Sequence, residues 1–246
     1  MITTELAATW VSRWDAQQEF YVADREERFA VIGDVVAHAL GGAGTVLDLG
    51  CGPGSLAGRL AERLPGARIV GVDADPVLLA LGRGRYGGKV EFVDADLTDP
   101  QWALDVPAEL DAAVSTTALH WLDAADLARV YEVLADRLRP HGVFVNGDHL
   151  PHADADMDAI AHAVRDGRAT RAGVTANEDW TGWWAAVGAE PTLAALLGER
   201  SQRAVAHHGG NRLTAAEHAD LLRTAGFRTA TPVWQSGDDH VLVAIR

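Results

Sequence analysis

The stretch Val46-Leu47-Asp48-Leu49-Gly50-Cys51-Gly52-Pro53-Gly54 constrains the fold more than any other part of the chain. A short apolar run ending in closely spaced glycines reads as a buried strand that turns sharply into a helix. In open α/β sheets such a turn is where nucleoside ligands bind, and glycine lets the backbone approach a ligand with no Cβ in between. A dinucleotide fingerprint is G-x-G-x-x-G, which seats a pyrophosphate on the helix N-terminus. Here the pattern is G-x-G-x-G, and Ser55 stands where the third glycine would be. An adenosine ligand without phosphates suits that turn better.

Strands and helices alternate around it. Leu6 to Leu40 carries apolar residues at helical spacing, capped by Thr3 or Thr4 and stopped by Gly41-Gly42; the period breaks near Phe20-Tyr21, which predicts two helices. Strands are expected at Thr45–Gly50, Arg68–Asp73, Lys89–Asp94, Asp111–Thr116, Val143–Asn146, Phe227–Trp234 and His240–Ile245. Helices are expected at Ser55–Leu64, from Asp75-Pro76 to about Gly82, from Asp123 through Leu138, and from the Thr214/Glu217 capping box to Gly226. With right-handed crossovers these make an α/β fold, a doubly wound, mostly parallel seven-stranded sheet. The closing pair forms a hairpin that adds an antiparallel strand at or near one edge. Residues 1–43 read as an N-terminal helical cap, 44–149 and 214–246 as the sheet domain, and 150–213 as a helical lid insertion too long for a simple connection.

Charge narrows the partners. With 21 Lys+Arg against 35 Asp+Glu, the net charge of −14 argues against nucleic acid and against anionic lipid, both of which are bound by neutralising phosphate. There is no run of 18 apolar residues and no basic segment leading into an apolar one at Met1-Ile2-Thr3-Thr4, so the expectation is a cytoplasmic protein without a membrane span. The single cysteine, Cys51, has no partner for a disulfide or a multi-cysteine metal site.

Two further stations follow the glycine turn. Ile69-Val70-Gly71-Val72-Asp73 puts an acid at the end of the second strand, where a carboxylate accepts from both hydroxyls of a ribose and repels a 2′-phosphate. Glu91 to Leu97 follows the third strand, and Asp96 is placed to accept from an adenine amino group.

Together these residues resemble the class I S-adenosylmethionine (SAM)-dependent methyltransferases, over about residues 44–147 and again from Leu213 onward. Asp111 to Leu122 is similar to that family's fourth strand and the loop after it. Leu138-Arg139-Pro140-His141-Gly142 resembles its L-(K/R)-P-G-G turn with His141 in place of the first glycine, and Ala225-Gly226-Phe227 its A-G-F turn. The variant Ala118-Leu119-His120-Trp121-Leu122 is similar to small-molecule enzymes of the trans-aconitate type. The resemblance implies SAM as cofactor, S-adenosylhomocysteine (SAH) as product and a small-molecule methyl acceptor. It places Gly50, Cys51 and Gly52 along the amino-acid part of SAM, Asp73 and Ala74 at the ribose, Asp96 and Leu97 at the adenine, and the Ser115–Thr116 backbone near the methionine portion. Tyr21, Arg25 and Arg28, from the helices before the first strand, are candidates to close the site or meet the cofactor's carboxylate.

His120 and His149 both fall at the carboxyl edge of the sheet, where an acceptor would sit; each is a candidate general base or an ordinary loop histidine. Trp180, Trp183 and Trp184 either line an acceptor pocket, which would then suit an aromatic or apolar metabolite, or pack the lid onto the sheet. Adjacent His207-His208 do not make a metal pair, and Asp154, Asp156 and Asp158 read as the N-terminal face of a helix, not a calcium loop. No metal is expected, and the assembly is a monomer or a homodimer. Two alternatives stay open: an NAD-dependent oxidoreductase on the same fold, and a non-catalytic SAM-binding regulator.

Overall fold

The computed structural model describes residues 2–203 and 210–246. Among them seven strands form one sheet, β1 (Gly44–Leu49), β2 (Ala67–Asp73), β3 (Val90–Asp94), β4 (Leu110–Thr116), β5 (Leu138–His149), β6 (Thr229–Ser236) and β7 (Asp239–Ile245), in the order β3-β2-β1-β4-β5-β7-β6. The first five run parallel, and β7 lies antiparallel between β5 and β6. The reversal of strand order between β1 and β4 opens the crevice at their carboxyl ends, where such sheets bind ligands.

The helices are α1 (Thr4–Glu19), α2 (Arg25–Leu40), α3 (Ser55–Arg63), α4 (Pro76–Tyr86), the single turn α5 (Trp102–Asp105), α6 (Ala124–Arg137), α7 (Ala155–Ala172), α8 (Trp180–Gly188), α9 (Ala194–Gln202) and α10 (Ala215–Ala225). Strands β1, β4 and β5 are covered on both faces, which is why they read as continuous apolar runs. Leu47, Leu49, Ala113 and Phe144 pack against Leu127, Val130 and Tyr131 of α6 and Leu222 of α10. On the other face Val46, Val114 and Val145 pack against Phe29 and Ile32 of α2 and Leu56 and Leu60 of α3. A third cluster joins Trp10 and Trp14 of α1 to Val77, Leu78 and Leu81 of α4 and to Trp183 and Val187 of α8. Through it the inserted helices α8 and α9 reach α1 and α4.

The expected caps are present. The Thr3 hydroxyl accepts from the Leu6 amide, Asp75 and Asp123 cap α4 and α6, Asp154 caps α7, and Thr214 and Glu217 form the capping box of α10. Most boundaries shift by a few residues from the expected ones, and two shifts are the largest. Helix α4 runs past Gly82 to Tyr86, because its glycines serve close packing and do not end it; a Cβ on Gly84 would lie 2.7 Å from that of Ala7 in α1. Strand β5 begins at Leu138, not Val143: Arg139 to Gly142 form an irregularity in which the register shifts, and not the end of a helix. His141, standing at a family glycine, takes a left-handed φ of 68° and donates its amide to the Arg246 carbonyl at 3.0 Å. Among the described residues no helix is long and apolar enough to cross a membrane.

Candidate active site

The glycine turn between β1 and α3 forms the floor of a cavity of about 550 Å³, walled by the carboxyl ends of β1, β2 and β4 and roofed by α1 and α8. Gly50 and Gly52 are left-handed, a conformation glycine adopts at little cost. Gly50 has a second reason to lack a side chain, since its Cβ would lie 2.4 Å from that of Ala118 in the loop after β4. The turn is tied to β2 twice: the Cys51 amide donates to the Val72 carbonyl at 3.0 Å, and the Gly52 amide donates to Asp73 Oδ2 at 2.7 Å. Asp73 Oδ1 accepts from the Asp75 amide at 2.9 Å. Burial pushes the Asp73 carboxyl up to about 6 against these amides, which favour its ionised form.

Gly50, Cys51, Gly52, Asp73, Thr116, His120, His149 and Tyr21 of the expected set line this cavity. Ala74, Asp96, Leu97 and Ser115 lie outside its wall. Asp96 is exposed and accepts from the amide and hydroxyl of Thr98, Leu97 packs against the α6-side core, and the Ser115 hydroxyl is buried, donating to the Leu49 carbonyl at 2.8 Å. Burial pushes the Cys51 thiol up, which leaves it no nucleophile's role.

Of the two arginines expected to meet a ligand carboxylate, Arg25 lines the cavity but donates to Asp15 at 2.9 Å. Arg28 is fully buried, paired with Asp239 and donating to Thr116 Oγ1 and the Gly147 carbonyl; it supports the wall and does not line it. Asp15 also accepts from the hydroxyl of Ser55, at the first turn of α3, at 2.6 Å, and from Arg59. An anion of the protein's own thus covers the helix N-terminus on which a pyrophosphate would have to rest.

On the β4–β5 side of the cavity, His120 Nδ1 lies 2.9 and 3.0 Å from the two carboxylate oxygens of Asp148, which is 1% exposed. Burial alone would raise Asp148, but the His120 imidazole and Arg28 outweigh it and hold the carboxyl at about 2. An ionised carboxylate only accepts, so Nδ1 carries the proton and the neutral ring has its lone pair on Nε2. Burial pulls His120 down, yet the charge of Asp148 and its hydrogen bond outweigh that and raise it. The His120 loop is pinned by Asn211, whose amide donates to the His120 carbonyl and whose side chain donates to those of Leu119 and Leu122. His149 Nδ1 sits 3.3 Å from Asp238 in the β6–β7 turn.

The tryptophans do both things expected of them. Trp183 is completely buried, with edge contacts to Trp10 and Trp14, while Trp180 lines the cavity beside Trp14. Trp184 stacks on Arg200. Asp148, Asp15, Asn211 and Asp48 carried no separate signal in the sequence. Asp48 is 1% exposed with neither carboxylate oxygen in a hydrogen bond of good geometry, and burial pushes it up to about 8, opposed by a weak contact from the Ala57 backbone. Among the described residues no three metal-ligating side chains converge; His207 and His208 lie outside the described residues.

Left-handed glycines that allow close approach, the Asp73 carboxylate and the rings of Trp14 and Tyr21 line one cavity, a lining compatible with an adenosyl group that carries a cationic centre. Fold and site define a class I methyltransferase domain of the SAM-dependent kind. Residues 46–142 match the family model described as a methyltransferase domain, and they form a domain of that family. The chain is 40% identical over 131 residues to the trans-aconitate 2-methyltransferase of Azoarcus sp. (strain BH72), covering 53% of this chain and 48% of that protein. It is 35% identical over 145 residues to the enzyme of the same name from Streptomyces coelicolor, covering 54% and 45%. The chain thus spans about half the length of the curated relatives it matches. Among solved structures, an O-methyltransferase family protein from Burkholderia thailandensis superposes with a TM-score of 0.59 at 18% identity, covering 97% of this chain and 69% of that one. Human N-acetylserotonin methyltransferase in complex with SAM gives 0.56 at 18% identity, covering 97% and 58%. Both share the fold. The NAD alternative is not favoured by these relatives.

Proposed function

We propose that the protein transfers the methyl group of SAM to an O, N or C nucleophile of a small, aromatic or apolar molecule, with His120 as general base. The observation that carries this reading is that His120, held from behind by the buried Asp148, stands on the wall of the same cavity as the glycine turn and Asp73. When bound, SAM supplies a methyl group on a cationic sulfur that departs as a neutral thioether, so the protein's part is alignment, exclusion of water and the handling of one proton. Gly50, Cys51 and Gly52 would hold the amino-acid portion and Asp73 the ribose, while Tyr21, whose hydroxyl accepts from the Trp180 amide at 3.1 Å, would close the roof. Helices α7–α9 act as the lid. His149, with Asp238, flanks the acceptor. A purely regulatory SAM-binding protein has no use for an imidazole held by a buried carboxylate, so the enzyme is the better reading. With a net charge of −14, the reading is of a cytoplasmic monomer or homodimer that acts on small molecules and not on nucleic acid.

The test is calorimetric titration with SAH, and with NAD as control, followed by transfer from labelled SAM. Micromolar binding of SAH alone is expected, and His120→Ala is expected to cost about 10²-fold or more in rate, the usual contribution of a general base. Binding of NAD instead, or no binding of SAH, would overturn the reading.

A further inference from the structure

We infer that the acceptor enters this site as a neutral, planar molecule whose nucleophile is a hydroxyl that still carries its proton, a phenol-type O–H, and not as a polycarboxylate. The inference rests on the methyltransferase reading above and deepens it.

Two independent observations lead there. The first is charge. Among the described residues lining the cavity the one guanidinium is that of Arg25, and Asp15 already holds it at 2.9 Å. Arg28 lies beneath the wall, committed to Asp239. The remaining fixed charges on the wall are the carboxylates Asp73 and Asp75, the latter paired with Arg200 of α9 at 2.6 Å. A tricarboxylate such as trans-aconitate would give up its hydration and, among the described lining residues, meet no unengaged guanidinium or ammonium to replace it, which is costly. Trp14, Tyr21, Trp121 and Trp180 line the same cavity and suit a flat ring.

The second observation is the base itself. A carboxylate nucleophile has no proton to lose at neutral pH, so an imidazole oriented by both oxygens of a buried carboxylate would stand idle beside it. A phenol gives it work. The hydroxyl proton passes to His120 Nε2, and the oxygen's electron pair forms the new C–O bond as the C–S bond opens toward the neutral thioether. His120 then returns the proton to water. Asp148 stays ionised throughout, keeping Nδ1–H in place and offsetting the charge on the ring.

The experiment measures SAH binding first, then titrates the SAH-loaded protein separately with 2-naphthol and with trans-aconitate. The expected result is at least a tenfold preference for 2-naphthol. Equal affinities, a preference for trans-aconitate, or no uptake of 2-naphthol by protein that does bind SAH overturns the inference while leaving the cofactor reading intact. Failure to bind SAH removes the reading beneath it.

Discussion

Arg200 joins the inserted helices to the rim of the cavity through Asp75: its Nε lies 2.6 Å from Oδ2, while Oδ1 of the same carboxylate caps α4 by accepting from the Val77 and Leu78 amides. One buried acid thus serves a helix start and a contact between layers. Arg203, a turn later, pairs with Asp94 at the end of β3. Arg200→Ala removes the first tie and leaves the cap in place. The expected loss is about 1–2 kcal/mol of stability, read from urea unfolding, together with faster release of SAH in stopped flow. An unchanged release rate would mean that α9 does not gate the cavity.

The His120–Asp148 pair has a signature in pH. His120 is raised in the folded protein, so its contribution to stability is fully present below its ordinary value of 6.5 and disappears as pH rises through the folded value. Asp148 is lowered from 3.8 to about 2, so its contribution is present above 3.8 and disappears as pH falls toward 2. Asp148→Asn removes both. The gap in melting temperature between wild type and variant is therefore widest between about pH 4 and 6.5 and narrows on either side. The rate of methyl transfer should fall with it, the low-pH limb moving toward lower pH. A gap that stays constant across this range would show that the pair is not coupled.

Asp73 carries the opposite sign. Burial raises it to about 6, so protonation below that pH removes the charged acceptor that a ribose would use. Affinity for SAH should therefore drop as pH falls through 6, and Asp73→Ala should weaken binding tenfold or more at pH 7.5, about 1.4 kcal/mol or greater. Calorimetry at two pH values checks both. A variant that binds as tightly as wild type would remove Asp73 from the ribose.

Asp48 offers a test that needs no ligand. A carboxyl raised from 3.8 to about 8 contributes its full stability below pH 4 and loses it progressively up to pH 8. Asp48→Asn keeps the shape and removes the titration. The variant should melt higher than wild type at pH 8 and match it near pH 4; a lower melting temperature at pH 8 would show that the ionised form is stabilised after all.

Much of this architecture was legible in the sequence because its signals are local. The glycine turn, the acid at the end of β2, the Thr214/Glu217 box and the Asp75-Pro76 start each declare themselves within a few residues. What escaped depends on distant parts of the chain. Asp148 became meaningful only once β5 placed it beside the loop after β4, 28 residues away, and Asp15 only once α1 crossed the start of α3. The long β5 was hidden by Pro140 and Gly142, which read as a stop when the strand is merely irregular there. Arg28 failed as a ligand contact for the same reason: its partner Asp239 is 211 residues on. The Trp180–Trp184 group resisted a single assignment because successive turns of one short helix face two different surroundings.

The position of β7 between β5 and β6 bears on how the site comes into being. Until that strand docks, β5 has an open edge and β6 has no neighbour in the sheet. The same strand delivers Asp239 to Arg28, and the turn before it delivers Asp238 to His149, so a support of the cavity wall and a lining residue take their partners from a part of the chain distant in sequence. Without β7 in place, Arg28 would lack the carboxylate it pairs with, and an uncompensated guanidinium is costly wherever it is buried. The support of the cavity wall is therefore completed by β7, and the parallel half of the sheet alone does not supply it.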